Sequence, residues 1–497
     1  MLMVRLAERL EDPAVLAVPV RADDADTSEE ASGVLAVPNT DLPDRVAEVA
    51  QAFLADTEHT GAPGTVQRLP QPGQPIARVL FVGVGDGGVA GWRAAGAAIA
   101  RGASSQPSAS VLVPADVAPD AVAALVEGLR LAAYRYRLAN KPDEADKLET
   151  VTVVGGSAPE SAHESALRRA TAVTEVTCLA RELTNLSSAE KSPEQLANRL
   201  VRAAGEYGVQ TRVWQPEELV ANGFGGILAV GGGSSRGPRL VELRWAPPGA
   251  TRHVVLVGKG ITFDTGGISI KPRDSMLLMR KDMGGAATVA ATVLGAAALE
   301  LPVRVTVLAP LAENMVGADS YRPGDVVRHY GGLTTEVLNT DAEGRMVLAD
   351  ALAYAVDKLQ PDVVLDFATL TGAATVGLGK RTAALLSDND VLVKELTEAG
   401  DAVGERMWRL PMVDDYRTSL DSDVADLNNA AGMKDGIGAG TITAAMFLRE
   451  FVGDYADRWA HVDMSNTSWS EKTDGELAKY ATGWGVRTLL RWLETTT

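Results

Sequence analysis

A single cysteine, Cys178, stands in 497 residues. One thiol cannot form an internal disulfide, and a thiolate zinc site within one chain is excluded with it. The sequence therefore points to a reducing, cytoplasmic setting, with Cys178 as a buried structural residue. Histidine is scarce too. His59, His163, His253, His329 and His461 are scattered, with neither an HExxH pattern nor any paired spacing of the kind imidazole metal sites use. His253 and His461 begin or precede strand-like runs and read as structural. A Gly-x-Ser-x-Gly elbow is missing, which disfavours a serine hydrolase. Basic residues are in deficit, 47 against 65 acidic, for a net charge of −18. Such a chain repels polyanions, so nucleic acid is not an expected partner. Long apolar runs are absent as well. The uncharged, Ala- and Gly-rich stretch Met283–Leu299, which no other uncharged run exceeds in length, is short for a membrane span and is expected as a buried helix. Glu8, Glu11 and Asp12 interrupt the N-terminal segment, so neither a signal peptide nor a membrane role is expected.

What is present is a normal globular mixture, 46% hydrophobic and 23% charged. The length exceeds one ordinary core, and two domains are expected. Residues 1–165 alternate β-branched runs (Val15–Val20, Val34–Pro38, Arg78–Val84, Ser110–Val113, Val151–Val154) with an Ala-rich helical run over Ala121–Ala139 that is followed by Lys141-Pro142. This alternation predicts a smaller N-terminal α/β domain. Residues 166–190 form a linking helix and loop, the helix expected over His163–Thr184. Residues 191–497 form a larger C-terminal α/β domain. There Pro193–Tyr207 reads as a helix capped by Ser192. Strands are expected at Gly226–Val230, Leu240–Trp245, His253–Gly258, Val303–Ala309 and Val363–Ala368, and helices over Gly284–Glu300, Met346–Leu359 and Thr441–Phe451. That order describes a mostly parallel central sheet flanked by helices, with a site at the carboxyl ends of its strands.

Gly83, Gly85 and Gly88 fall in GxGxxG spacing after a strand, a pattern that suggests a dinucleotide cradle. The region about 20 residues further on, Gly102–Ser108, offers no acidic residue for a ribose hydroxyl. A plain strand-to-helix turn is the better reading.

Two other glycine-rich segments carry more. The first places Lys259, Asp264, Lys271 and Asp282 where a strand gives way to loops, without the GxxxxGK[ST] order of a phosphate loop. The second, Asn339-Thr-Asp-Ala-Glu-Gly-Arg345, spaces Asp341, Glu343 and Arg345 two apart beside a helix start. If extended, they share one side. A lone Lys–Asp pair is usually a surface salt bridge, and a lone Asp among glycines is usually a turn former. Four carboxylates and three cations between apolar elements are a different matter, since buried carboxylates need strong partners. Metal ions are the simplest.

These two segments resemble the signatures of the leucyl aminopeptidase family, the di-metal cytosol aminopeptidases. The Asn339–Arg345 match is complete. Further similarity runs through Gly223–Gly233, Asp366–Ala373, Gly438–Leu448 and Ala481–Thr488, so the likeness spans from about residue 180 to the C-terminus; in the first domain it is confined chiefly to Val126–Tyr136. The resemblance implies two divalent ions, Mn or Zn with Mg or Co as alternates. Lys259 and Asp282 would serve the more loosely held ion and Asp341 the other, with Asp264 and Glu343 bridging both. It also implies that Lys271 and Arg345 are catalytic, the latter holding bicarbonate as a proton shuttle. Met279, Thr369, Leu370 and Gly372 match positions that line or orient substrate, and a homohexamer is implied. Two departures stand out. Asn185-Leu-Ser-Ser188 replaces an Asn-x-Pro-Pro stretch, and Met464-Ser-Asn-Thr467 replaces an apolar-Ala-Gly segment.

Simple chemistry agrees with that ligand set. Hard oxygen ligands suit such ions, and two divalent cations balance the four carboxylates. A lysine binds metal only as its neutral amine, despite an ordinary pKa near roughly 10.4; adjacent ions disfavour its proton. The expected function is a metal-dependent aminopeptidase that releases leucine and other apolar residues from peptide N-termini. A metal-bridging hydroxide would attack, and Lys271 would stabilise the oxyanion. The competing readings are another two-metal hydrolase, such as a phosphoesterase, and a non-catalytic nucleic-acid-binding regulator. The full ligand set and the acidity of the chain disfavour the second.

Overall fold

The computed structural model describes residues 1–11, 13–22, 33–139, 147–155, 160–431, 436 and 438–496. The chain folds as two compact units. The first comprises Met1–Glu175 with Glu471–Lys479, the second Val176–Ser470 with Tyr480–Thr497.

The first unit is built on β1 (Met3–Ala7), β2 (Val15–Arg21), β3 (Val34–Leu35), β4 (Val66–Pro70), β5 (Arg78–Gly85), β6 (Ser108–Val113) and β7 (Thr150–Gly155). Their order is β1-β7-β6-β2-β5-β4, with β3 on β2. The first five in that order run parallel, whereas β3 and β4 are antiparallel additions. Central β2 is buried along almost its whole length, as befits a parallel strand covered on both faces. Two helices, Val89–Gly102 and Pro119–Ala133, cross at Gly96 and Gly128. A Cβ on either glycine would lie 2.2 or 2.1 Å from a backbone oxygen of the other helix. The second helix stops at Ala133, short of the expected Ala139. Its apolar 3.6-residue period ends there, and Tyr134 turns to extended backbone. Lys141-Pro142 lies outside the described residues. Gly85 to Gly88 form a turn between β5 and the next helix.

The second unit continues with β8 (Gln210–Trp214), β9 (Arg239–Trp245), β10 (His253–Gly258), β11 (Gly260–Asp264), β12 (Arg304–Asn314), β13 (Val326–Arg328), β14 (Thr334–Glu336), β15 (Val363–Ala368), β16 (Ala383–Leu386), β17 (Met407–Arg409), β18 (Leu427–Asn428) and β19 (Trp459–Asp463). Its main sheet runs β17-β16-β19-β15-β10-β12-β9-β8, with β11 on β12. The central pairs among β19, β15, β10, β12 and β11 are all parallel. Antiparallel pairing appears only outside them, at β16–β19, β12–β9 and β9–β8. β13, β14 and β18 form a small separate sheet. The helix Gly284–Ala298 is buried from Gly284 to Ala297. Among the described residues, no helix is long and apolar enough to cross a membrane.

The linking helix runs from Glu160 to Asn185. Ser192 and Gln195 form a reciprocal capping box at the start of helix Pro193–Glu206. One expected strand is corrected. Gly226–Val230 lies within a helix, Gly225–Gly231, and the cause is tertiary. The buried carboxylate of Asp350 accepts the Ile227 N–H at 2.9 Å, which stabilises a helix N-terminus. Gly226 meanwhile meets the helix Glu343–Tyr354 so closely that a Cβ would fall 2.3 Å from the Met346 carbonyl oxygen. That helix begins at Glu343 rather than Met346, and its last turn, Ala355–Leu359, widens to a π-helix. His253 and His461 are buried in the sheet against Thr306 and Asp366.

Candidate active site

The central parallel strands end together, and each end delivers polar residues. Lys259 follows β10. Its N–H donates to the Phe367 carbonyl on β15, and its own carbonyl accepts from Ala286. Asp264 ends β11, Asn314 ends β12 and Asp463 ends β19; Thr369 to Thr371 follow β15. Asp282 comes directly after a 3-10 turn, Met279–Lys281. Asp341 precedes the helix on whose first turn Glu343 and Arg345 lie. The extended arrangement considered for 341, 343 and 345 is not adopted. Asn339 folds the loop instead, its side chain accepting the Asp341 N–H at 2.9 Å, an Asx turn.

Folding brings all seven charged candidates into one neighbourhood. Lys259 Nζ sits 2.9 Å from Asp282 Oδ2, 2.8 Å from Glu343 Oε1 and 3.0 Å from the Thr369 carbonyl oxygen. Lys271 Nζ lies 2.7 Å from Asp264 Oδ2 and also pairs with Asp341. One oxygen each from Asp264, Asp341 and Glu343 lies within 4.8 Å of the others. Glycine makes the closeness possible, since a Cβ on Gly344 would sit 2.6 Å from Lys259 Cε.

The electrostatics follow from burying this many charges together. Burial lowers the Lys259 pKa, but Asp282, Glu343 and Asp264 raise it by more, and it ends above its ordinary value. Lys271 is raised in the same way, Glu343 and Asp264 outweighing burial. Burial pushes Asp282 up to about 6 against the pull of Lys259. It raises Asp264 well above the usual range, helped by Glu343 and Asp282. Glu343 goes the other way: burial raises it, yet Lys259 and Lys271 bring it below the ordinary carboxylate value. Burial lowers Arg345 to about 10, opposed by Glu343 and Asp463.

These residues fit divalent ions. Among the described residues, Glu343 Oε2 is buried with no hydrogen-bond donor, and Asp282 Oδ2 and Asp341 Oδ1 lie against ammonium groups without hydrogen-bond geometry. Buried carboxylate oxygens without donors are costly, and a cation supplies what a donor does not. Oxygen ligands in this number suit hard ions. Arg345 Nε also lacks a partner among the described residues, and its guanidinium stands 5.9 Å from the Phe447 ring centre.

A cleft of about 360 Å³ opens beside the cluster, lined in part by Lys271, Asp341, Arg345, Leu370 and Gly372. Thr369 faces inward instead: its hydroxyl donates to Asp282 Oδ1 at 2.7 Å while its carbonyl holds Lys259. Met279 is half-buried on the turn before Asp282. Two contributors escaped the sequence reading. Asn314 Nδ2 donates to Asp264 Oδ1 at 2.8 Å and to the Thr340 carbonyl at 3.1 Å, joining the two motif segments. Asp463 is fully buried and accepts from the Leu370 and Thr371 N–H groups, the Thr371 hydroxyl and the Ser465 N–H. Both are single polar residues that end apolar strands on the side where α/β sites form, and the sequence does not show that these strands end side by side.

Known proteins share this arrangement of domains. Residues 178–490 match the catalytic-domain model of the cytosol aminopeptidase family, and residues 17–141 match its N-terminal-domain model. A probable cytosol aminopeptidase of Micrococcus luteus is 44% identical over 90% of this chain and 91% of its own length. One from Corynebacterium glutamicum is 40% identical over 89% and 87%. Among solved structures, a mutant of tomato leucine aminopeptidase has a TM-score of 0.85 at 30% identity, covering 100% of this chain and 97% of its own. The bottromycin maturation enzyme BotP, in complex with Mn, scores 0.84 at 35% identity over 97% and 99%. With both of its domain models matched in order and relatives this similar along nearly their whole length, the chain belongs to the cytosol aminopeptidase family.

Proposed function

We propose that the chain is a metal-dependent aminopeptidase releasing apolar N-terminal residues, leucine among them, from peptides. Two divalent ions, Mn or Zn by preference, would be held by Lys259, Asp264, Asp282, Asp341 and Glu343. The observation that carries this reading is the convergence of Asp264, Asp341 and Glu343 oxygens within 4.8 Å, with a Glu343 oxygen that has no donor among the described residues. When bound, such ions polarise a carbonyl and lower the pKa of water from about 15.7 to about 7.

The chain's own residues supply the rest. Lys271, its pKa raised, stays cationic and stabilises negative charge developing on the carbonyl oxygen. Thr369 fixes the rotation of Asp282, and Asn314 that of Asp264, so each carboxylate keeps one oxygen for the centre. Arg345 borders the cleft as a buried guanidinium whose Nε–H has no partner among the described residues, which suits a small oxyanion; bicarbonate there would carry the proton. Leu370 and Gly372 on the cleft wall, with Met279 nearby in sequence to Asp282, would receive the substrate side chain. Homohexameric assembly and a cytoplasmic location complete the proposal, the location supported by the names of the relatives.

Lys271→Ala and Glu343→Gln test it with an aminoacyl anilide and saturating Mn. Each is expected to lose about 100-fold or more in kcat, the scale of losing one charge-stabilising group. Rates near wild type in both variants would remove the site from the reaction, and turnover of a phosphate ester in preference to the anilide would replace the substrate class.

A further inference from the structure

Lys191 has no exposed surface and no part in the chemistry above. It stands between the short turn Ser188–Glu190 and the cap residue Ser192. Its Nζ donates to three backbone carbonyls: Thr184 at 2.7 Å, Leu183 at 3.3 Å and Arg280 at 2.6 Å. Met283 Sδ lies 3.5 Å away. No carboxylate is among these partners. Burial, reinforced by the Arg280 charge, pushes the Lys191 pKa down to about 7.

The partners explain why so costly a group is kept. Leu183 and Thr184 lie in the last turn of the linking helix Glu160–Asn185, whose final carbonyls have no partner within the helix. An ammonium has three N–H donors, one more than capping those two carbonyls requires. The third goes to Arg280, in the 3-10 turn whose next residue is Asp282. The same turn is pinned on another side by Lys281, which donates to the Ser465 carbonyl at 2.7 Å. Thr369 and Lys259 hold the Asp282 side chain, whereas Lys191 holds the backbone that delivers it.

We infer that Lys191 is a positioning residue for Asp282, fixing the turn from behind so that the carboxylate reaches the metal centre. This rests on the proposed ligand role of Asp282. Without the Lys191 bond, the Arg280 carbonyl must find another donor, and the peptide turns with it.

Mn²⁺ titrations of the full-length chain, with thermal melting alongside, separate positioning from simple helix capping. Lys191→Met is expected to weaken one class of Mn²⁺ sites about 10-fold, as outer-shell changes do, and to leave the other class at its wild-type affinity. Lys191→Gln, which keeps two N–H donors, is expected to recover part of the loss and decides the matter if the methionine variant does not fold. Asp282→Asn should weaken the same class. Variants of Lys191 that melt earlier yet bind Mn²⁺ as the wild type does, beside a weakened Asp282→Asn, overturn this inference alone. An unchanged Asp282→Asn overturns the ligand role of Asp282 and the inference with it.

Discussion

Two glycine-rich strand ends in this molecule look alike as text and differ in what their glycines touch. Late in β5, a Cβ on Gly83 would lie 2.0 Å from the Ala62 carbonyl oxygen, and one on Gly91, in the helix that follows, equally close to that of Val84. These glycines admit neighbouring backbone. In the charged cluster beyond β10, two glycines meet side chains instead. A Cβ on Gly344 would meet Lys259 Nζ at 2.7 Å, and one on Gly267, whose φ is +65°, would meet Asn314 Oδ1 and Thr340 Oγ1 at 2.9 Å. Glycine marks a close approach in both cases. Only the identity of the approaching group separates packing from chemistry.

That contrast can be broken by experiment. Gly344→Ala forces Lys259 to move, and Lys259 is gripped by Asp282, Glu343 and Thr369 and cannot swing aside. Mn²⁺ affinity should fall about 10- to 100-fold, the cost of disturbing the support of a metal ligand, and kcat/KM with it. A titration curve matching the wild type would end the distinction. Acid should weaken the same site through Asp282. Burial sets its pKa at about 6, and below that pH the folded carboxyl carries a proton that competes with any cation. Affinity is therefore expected to fall as pH drops through about 6, by about tenfold per pH unit for each proton displaced. Lys259, with its pKa raised, must also release a proton to serve as a ligand, so the binding heat should vary with the ionisation enthalpy of the buffer. Gly83→Ala sharpens the other half of the comparison. Crowding the Ala62 carbonyl should cost about 1–3 kcal/mol of stability, seen as earlier melting, with Mn²⁺ affinity unchanged. Loss of affinity comparable to Gly344→Ala would show that the first strand end matters to the centre as well.

Much of the architecture was legible because periodicity and strand order report burial. Buried β10 and β15 read as continuous apolar runs, and Ser192 announced its helix through a cap. Gly226–Val230 misled because its residues suit a strand locally; the Asp350 carboxylate that makes it a helix lies more than a hundred residues away. The charged cluster was legible as composition, four carboxylates and three cations among glycines. Its supports were not. Asn314 and Asp463 are single polar residues whose meaning appears only when separate strands end side by side. Lys191 is quieter still, since nothing in Glu-Lys-Ser announces a buried cation.

The pairing of Lys259 and Lys271 with the four acidic groups has a consequence for the life history of the protein. The polypeptide brings its own counter-charge to the centre, so folding need not wait for ion delivery as it does in a zinc finger. A chelator should silence the enzyme and leave it standing, and a cell could keep a reserve of finished, idle molecules that a change in metal supply switches on without new synthesis.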